Sequence, residues 1–144
     1  VGLFSLFSGP LFGTLADRVS RRFSLMVVFG FQTVAYLMAG LQPSLVLLYG
    51  SIGCFGIVAW SVPSIMAALS GDYAGPDKAF AFFSTVTLLF AAGQVTGPFL
   101  AGLIAEMSGS FAPSYLLSAA MTTIAALLSF FLPNHIKLHP PEKT

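Results

Sequence analysis

Gly13-Thr14-Leu15-Ala16-Asp17-Arg18-Val19-Ser20-Arg21-Arg22 is the stretch on which the fold turns. It holds Arg18, Arg21 and Arg22, which are three of the six basic residues in the chain. An apolar run from Val1 to Ala16 leads into it, and a second, uncharged run begins directly after it at Phe23. Short loops rich in Arg and Lys are held on the cytoplasmic side of a membrane. The stretch therefore reads as a cytoplasmic loop, 17–22, between two membrane-spanning helices.

Composition supports a membrane setting. Of 144 residues, 56% are hydrophobic and 8% charged, against roughly 25% charged in an average soluble domain, and the mean hydropathy is +0.89. The apolar runs are too long and too little amphipathic to fold around one water-facing core. A net charge of +1 is too small for a nucleic-acid partner, whose backbone demands several cations. The single Cys54 permits no intramolecular disulfide and reads as a small residue at a helix contact. A signal peptide would carry its charge before its apolar core, whereas here the arginines follow it and the chain opens on Val1 without Met. Residues 1–16 read instead as the back half of a spanning helix in a longer protein.

Further along, polar breaks divide the chain. Complete spans are expected at about 23–41, 44–70, 79–105 and 114–132, each near or above the ~20 residues needed to cross the hydrocarbon core. Gln42-Pro43 is a tight connection, so the second span must return antiparallel beside the first. Pro63 should kink that span. Gly71-Asp72-Tyr73-Ala74-Gly75-Pro76-Asp77-Lys78 reads as a loop, with Asp77 placed to cap the next helix. Glu106 to Pro113 forms a turn, and 133–144 is a polar tail unable to bury itself. The expected fold is an all-α polytopic bundle of one partial and four complete transmembrane helices.

Orientation follows from charge. Arg18, Arg21 and Arg22 fall in the first loop, Lys78 in the third, and Lys137 and Lys143 in the tail, so all six cations lie on one side. The positive-inside rule puts loops 17–22 and 71–78 and the C-terminus in the cytoplasm.

Gly13-x-x-x-Asp17-Arg18-x-x-Arg21-Arg22 closely resembles the signature loop of the major facilitator superfamily, with Ser20 where a second glycine is usual. The resemblance covers nearly the whole chain. It implies a transporter of twelve helices in two pseudosymmetric halves, of which this segment would be the end of the second helix of one half and the four that follow. Gly93-x-x-x-Gly97-Pro98-x-x-Ala101-Gly102 is similar to the glycine-proline motif of the fifth helix of antiporters, with Ser84 in place of its first glycine, and like patterns occur in the eleventh. Tyr49 stands where the fourth helix usually has arginine, and a short tail replaces a long central loop. Both features favour the C-terminal half, helices eight to twelve.

The resemblance also implies roles. Asp17 would pair with an arginine and with the positive N-terminal end of a neighbouring helix, latching the two halves in the outward-facing state, and Gly13 would allow the close approach. The simpler role of Arg18, Arg21 and Arg22 is to set topology and meet anionic headgroups. Gly93, Gly97 and Ala101 form a small-residue stripe suited to helix packing, and Gly97-Pro98 a bend that moves during transport. Gln32, Tyr36, Trp60, Thr87 and Gln94 are candidates for a polar and aromatic solute path, although each could serve only a local helix contact.

Every Asp and Glu sits in a loop, at a helix end or in the tail, so the segment offers no mid-membrane proton carrier. Glu106 is a remote candidate, and proton coupling stays a family expectation with its carrier in the other half. His135 and His139 have the spacing of two metal ligands but no third nearby, so no metal is expected. With no phosphate-binding glycine loop, no cofactor or enzymatic activity is expected. The sequence thus points to part of a secondary permease of the bacterial inner membrane. Its partners would be the lipid bilayer, a small-molecule solute and the N-terminal half of the transporter. The alternative is a non-transporting membrane scaffold.

Overall fold

The computed structural model describes residues 20–41 and 44–132. The partial first helix, the loop residues Gly13, Asp17 and Arg18, the Gln42-Pro43 connection and the tail with His135 and His139 lie outside them. The described residues are all-α: α1 Arg21–Gly40, α2 Leu45–Val58, α3 Ser61–Ser108 and α4 Ala112–Phe130.

Helix α1 begins where it does because Ser20 caps it. Its backbone is extended, its side chain accepts a hydrogen bond from the Phe23 amide at 3.0 Å, and its carbonyl accepts from Ser24 N at 3.1 Å. The first is one of the amides left unpaired at a helix start, and the second is the helix's first regular bond. The residue that departs from the usual glycine thus has its own structural use. Helix α1 is 20 residues long, or about 30 Å, the thickness of the hydrocarbon core. Ser44 opens α2 in the same way, accepting from Leu47 N at 3.4 Å.

The region expected as one kinked span, 44–70, is interrupted within its length, between α2 and α3. The chain breaks at Ala59 and Trp60, and α3 starts at Ser61. Ala59 and Trp60 are the fourth and third residues before Pro63, where a proline ring clashes with the carbonyl of the preceding turn, so the interruption falls where a kink from Pro63 is expected. Residues 71–78, expected as a loop, are helical except at Gly75, whose φ of 71° and ψ of 168° interrupt α3. That region of backbone space is open essentially to glycine alone. Pro76 resumes the helix with its fixed φ, and Asp77 lies in the new first turn, where its charge suits the helix dipole. Gly75 thus concentrates in one residue the break that the eight-residue stretch of turn and charged residues predicts. Gly109, with φ 70° and ψ 8°, ends α3 in the left-handed conformation that favours glycine.

Helices α1 and α4 run antiparallel. Arg22 meets Phe130 at one end, and Thr33 meets Thr122 midway at 2.9 Å. At the other end a side chain on Gly40 would touch Leu116 and the Ala112 carbonyl. Helix α2 packs on α1 where Ser51 donates to the Ala35 carbonyl at 2.8 Å and the Tyr36 and Phe55 rings lie 5.6 Å apart. Leu25 and Val28 of α1, Val58 of α2, and Ile65 and Leu69 of α3 form the buried core. The buried Ser51, Ser70, Ser114 and Ser129 donate to backbone carbonyls, which lets small polar residues sit at helix contacts without an unmet donor.

Beyond Gly75, α3 carries its far end to α4, where Ser114 donates to the Ala101 carbonyl at 2.9 Å. Every residue from Ala91 to Leu100 is exposed. Exposed apolar side chains such as Phe80, Leu88, Val95 and Phe99 suit an element surrounded by lipid or further helices and not by water.

Candidate functional site

The concentrated electrostatics of the described residues lie at the start of α1. Arg21 Nε and Asp72 Oδ2 are 2.9 Å apart, with the two side chains 21% and 41% exposed. This ion pair joins the end of the signature loop to α3 three residues before its break at Gly75. Next to it, the Arg22 guanidinium carbon lies 4.1 Å from the centre of the Phe130 ring at the end of α4, close enough for a cation–π contact. One end of the bundle therefore gathers residues 21–22, the Asp72 region and the close of α4. The sequence had assigned those same three regions to one side of the membrane.

Asp72 and Phe130 were missed as partners. A signal existed for Asp72, since it is acidic and was assigned to the same face as the arginines. No periodicity or spacing could single out Phe130 among 15 phenylalanines. Ser20 was also missed as a cap, although a serine directly before an apolar run is a recognised helix-start signal.

The five residues proposed for a solute path are not gathered by the described structure into one cavity. Gln32 and Tyr36 are half-buried on α1, Trp60 is exposed at the break before α3, and Thr87 and Gln94 are exposed on the far arm of α3. Thr87 spends its hydroxyl on the Phe83 carbonyl at 2.8 Å, within its own helix. Gly93 and Gly97 have open space around them and Pro98 is exposed. Of that stripe, only Ala101 meets another described helix, through Ser114. A hollow does form elsewhere, lined by Ser20, Arg22, Phe23, Met26 and Phe130.

Long apolar helices, few charges and an ion pair confined to one end define an integral membrane protein of the polytopic helical class. The family model of the Major Facilitator Superfamily matches residues 1–144. The chain belongs to that superfamily. It is 28% identical over 134 residues to human solute carrier family 67 member A1, covering 90% of this chain and 31% of the relative. It is 29% identical over 135 residues to the class C tetracycline resistance protein of Escherichia coli, covering 90% and 32%. To the multi-drug resistance efflux pump PmrA of Streptococcus pneumoniae it is 31% identical over 136 residues, covering 90% and 33%. The chain thus spans about a third of the length of these relatives. No solved structure matches it.

Proposed function

We propose that this chain is part of a secondary active transporter that moves a small organic solute by alternating access, and that it belongs to the C-terminal half. The observation that carries the reading is the Arg21–Asp72 ion pair, set directly after the signature loop in a chain of this superfamily. In this reading the pair braces the loop so that Asp17 can reach a helix end in the other half. Gly13 gives that approach room, and Arg18 adds charge on the same surface. Breaking and remaking such contacts is a recognised way for packed bodies to switch between discrete states. The open positions Gly93, Gly97 and Pro98, leading to Ala101 where α4 already packs, supply a face on which a helix from the rest of the protein can pack closely and slide.

The solute path then forms between this segment and the rest, with Gln32, Tyr36, Trp60, Thr87 and Gln94 facing it. Relatives named for tetracycline resistance and multi-drug efflux support a drug-like solute and a bacterial inner membrane, with the signature loop and the C-terminus cytoplasmic. Coupling to protons would draw on an acid in the rest of the protein. The test is flux of a solute panel that includes tetracycline, measured through the complete protein and through Asp17→Asn in proteoliposomes. Flux that falls at least tenfold in Asp17→Asn supports the latch. No flux of any solute through the complete protein would favour a scaffold that keeps the fold without transporting. Flux through residues 1–144 alone would overturn the partial-half reading.

A further inference from the structure

Arg21 and Arg22 are neighbours with different engagements. Arg21 has a carboxylate partner in Asp72. Arg22 has its guanidinium carbon 4.1 Å from the centre of the Phe130 ring, and among the described residues no carboxylate pairs with it. A guanidinium carries five N–H donors, and contact with a single ring does not engage them all. Arg22 also lines a hollow together with Ser20, Phe23, Met26 and Phe130, about 280 Å³ in volume, close to the ~300 Å³ at which small-ligand sites begin.

The lining has two parts. At the outer end are a guanidinium and the Ser20 hydroxyl, which accepts from Phe23 N and keeps its own proton to donate. The remaining wall is phenyl and thioether surface, and Phe23 and Phe130 are 49% and 53% exposed, so the apolar wall continues onto the outside of the bundle. The hollow sits at the first turn of a helix about as long as the bilayer core is thick, the depth at which headgroups give way to acyl chains. A small soluble anion would use the cation and leave the walls bare. An uncharged amphiphile would use the walls and leave the cation bare.

We propose that the cleft between the start of α1 and the end of α4 binds one anionic phospholipid. Its phosphate accepts from the Arg22 guanidinium and the Ser20 hydroxyl, and its glycerol and upper acyl segments lie along Phe23, Met26 and Phe130. Charge-assisted bonds from arginine to phosphate supply the recognition, and the exposed aromatic wall supplies depth and orientation.

The full-length protein carrying this segment is purified with an equal mixture of phosphatidylglycerol and phosphatidylcholine, and the retained lipid is counted by native mass spectrometry. One phosphatidylglycerol should be retained in preference to phosphatidylcholine. Arg22→Gln should lower that preference about fivefold, which is the ~1 kcal/mol a basic residue contributes near an anionic surface. Met26→Phe narrows the hollow while keeping the charge, and should produce a smaller but measurable loss. Helical content by circular dichroism is recorded for both variants, and if Arg22→Gln fails to fold, Met26→Phe decides. Unchanged preference in a folded Arg22→Gln, or equal retention of the two lipids by the wild type, overturns the proposal. Unchanged preference in Met26→Phe also overturns it, since diffuse attraction to the charge would then suffice. Displacement of the retained lipid by inorganic phosphate would assign the site to a free anion instead.

Discussion

Two glycines four residues apart on α3 should respond to alanine in opposite directions. Gly75 and Gly71 both have open space where a β-carbon would go, so packing distinguishes neither. Their backbones do. Gly75 has φ 71° and ψ 168°, a conformation that costs an L-residue about 1–3 kcal/mol. Gly71 is helical and exposed, and alanine there removes unfolded-chain freedom and gains about 0.5–1 kcal/mol. Gly75→Ala should therefore be less stable than Gly71→Ala by about 1.5–4 kcal/mol. The assay is thermal unfolding of the purified full-length variants in one detergent, followed by far-ultraviolet circular dichroism, where each kcal/mol moves the midpoint by roughly 2–8 °C. If Gly75→Ala proves as stable as wild type, residue 75 is helical. Helix α3 would then be one rod of 48 residues, about 72 Å long and more than twice the ~30 Å hydrocarbon core. The division into two crossings would have to fall elsewhere.

Three further outcomes are expected. A double-mutant cycle with Arg21→Gln and Asp72→Asn should give a coupling of about 0.2–1 kcal/mol, since the pair is partly exposed, and the coupling should shrink in high salt; zero coupling at low salt would remove the brace. Thr33→Val or Thr122→Val should cost about 0.6 kcal/mol, the average for hydrogen bonds between membrane helices. The two hydroxyls lie 2.9 Å apart; Thr122 has the Ser118 carbonyl at 3.0 Å for its own proton, and Thr33 shares its single proton between Thr122 and the Phe29 carbonyl, also at 2.9 Å; a double variant whose cost equals the sum of the singles would show that they do not interact. With Cys54 replaced by alanine, a cysteine at position 110 should react with a membrane-impermeant thiol reagent on intact cells, and one at position 20 only after permeabilisation. The reverse pattern would invert the proposed topology.

Hydropathy and charge carried most of the architecture. The α1 region was legible because an uncharged run of bilayer length followed a cluster of arginines, and α4 because a comparable run lay between two proline-containing breaks. The middle of the chain was not. Eight residues containing two glycines, a proline and three charges, 71–78, carry every composition cue of a loop, yet a single glycine in a conformation closed to other residues suffices to interrupt the helix. Pro63 was the better guide, because its ring disturbs the turn before it and the interruption falls at Ala59 and Trp60, four and three residues upstream. At the candidate site the arginines announced themselves through charge. Their partners did not, because Asp72 lies 51 residues from Arg21, and contacts at such separation follow from helix packing and leave no local pattern.

The two arginines at the start of α1 also fix something that neither fixes alone. Consecutive helical side chains point about 100° apart around the axis, so Arg21 and Arg22 reach different neighbours, Asp72 of α3 and Phe130 of α4. Together they act as a two-pronged key against rolling. Turning α1 about its own axis would pull both prongs out at once, whereas tilting α1 together with α3 and α4 would disturb neither. Any motion of this end of the bundle that keeps both contacts must carry the three helices as one block.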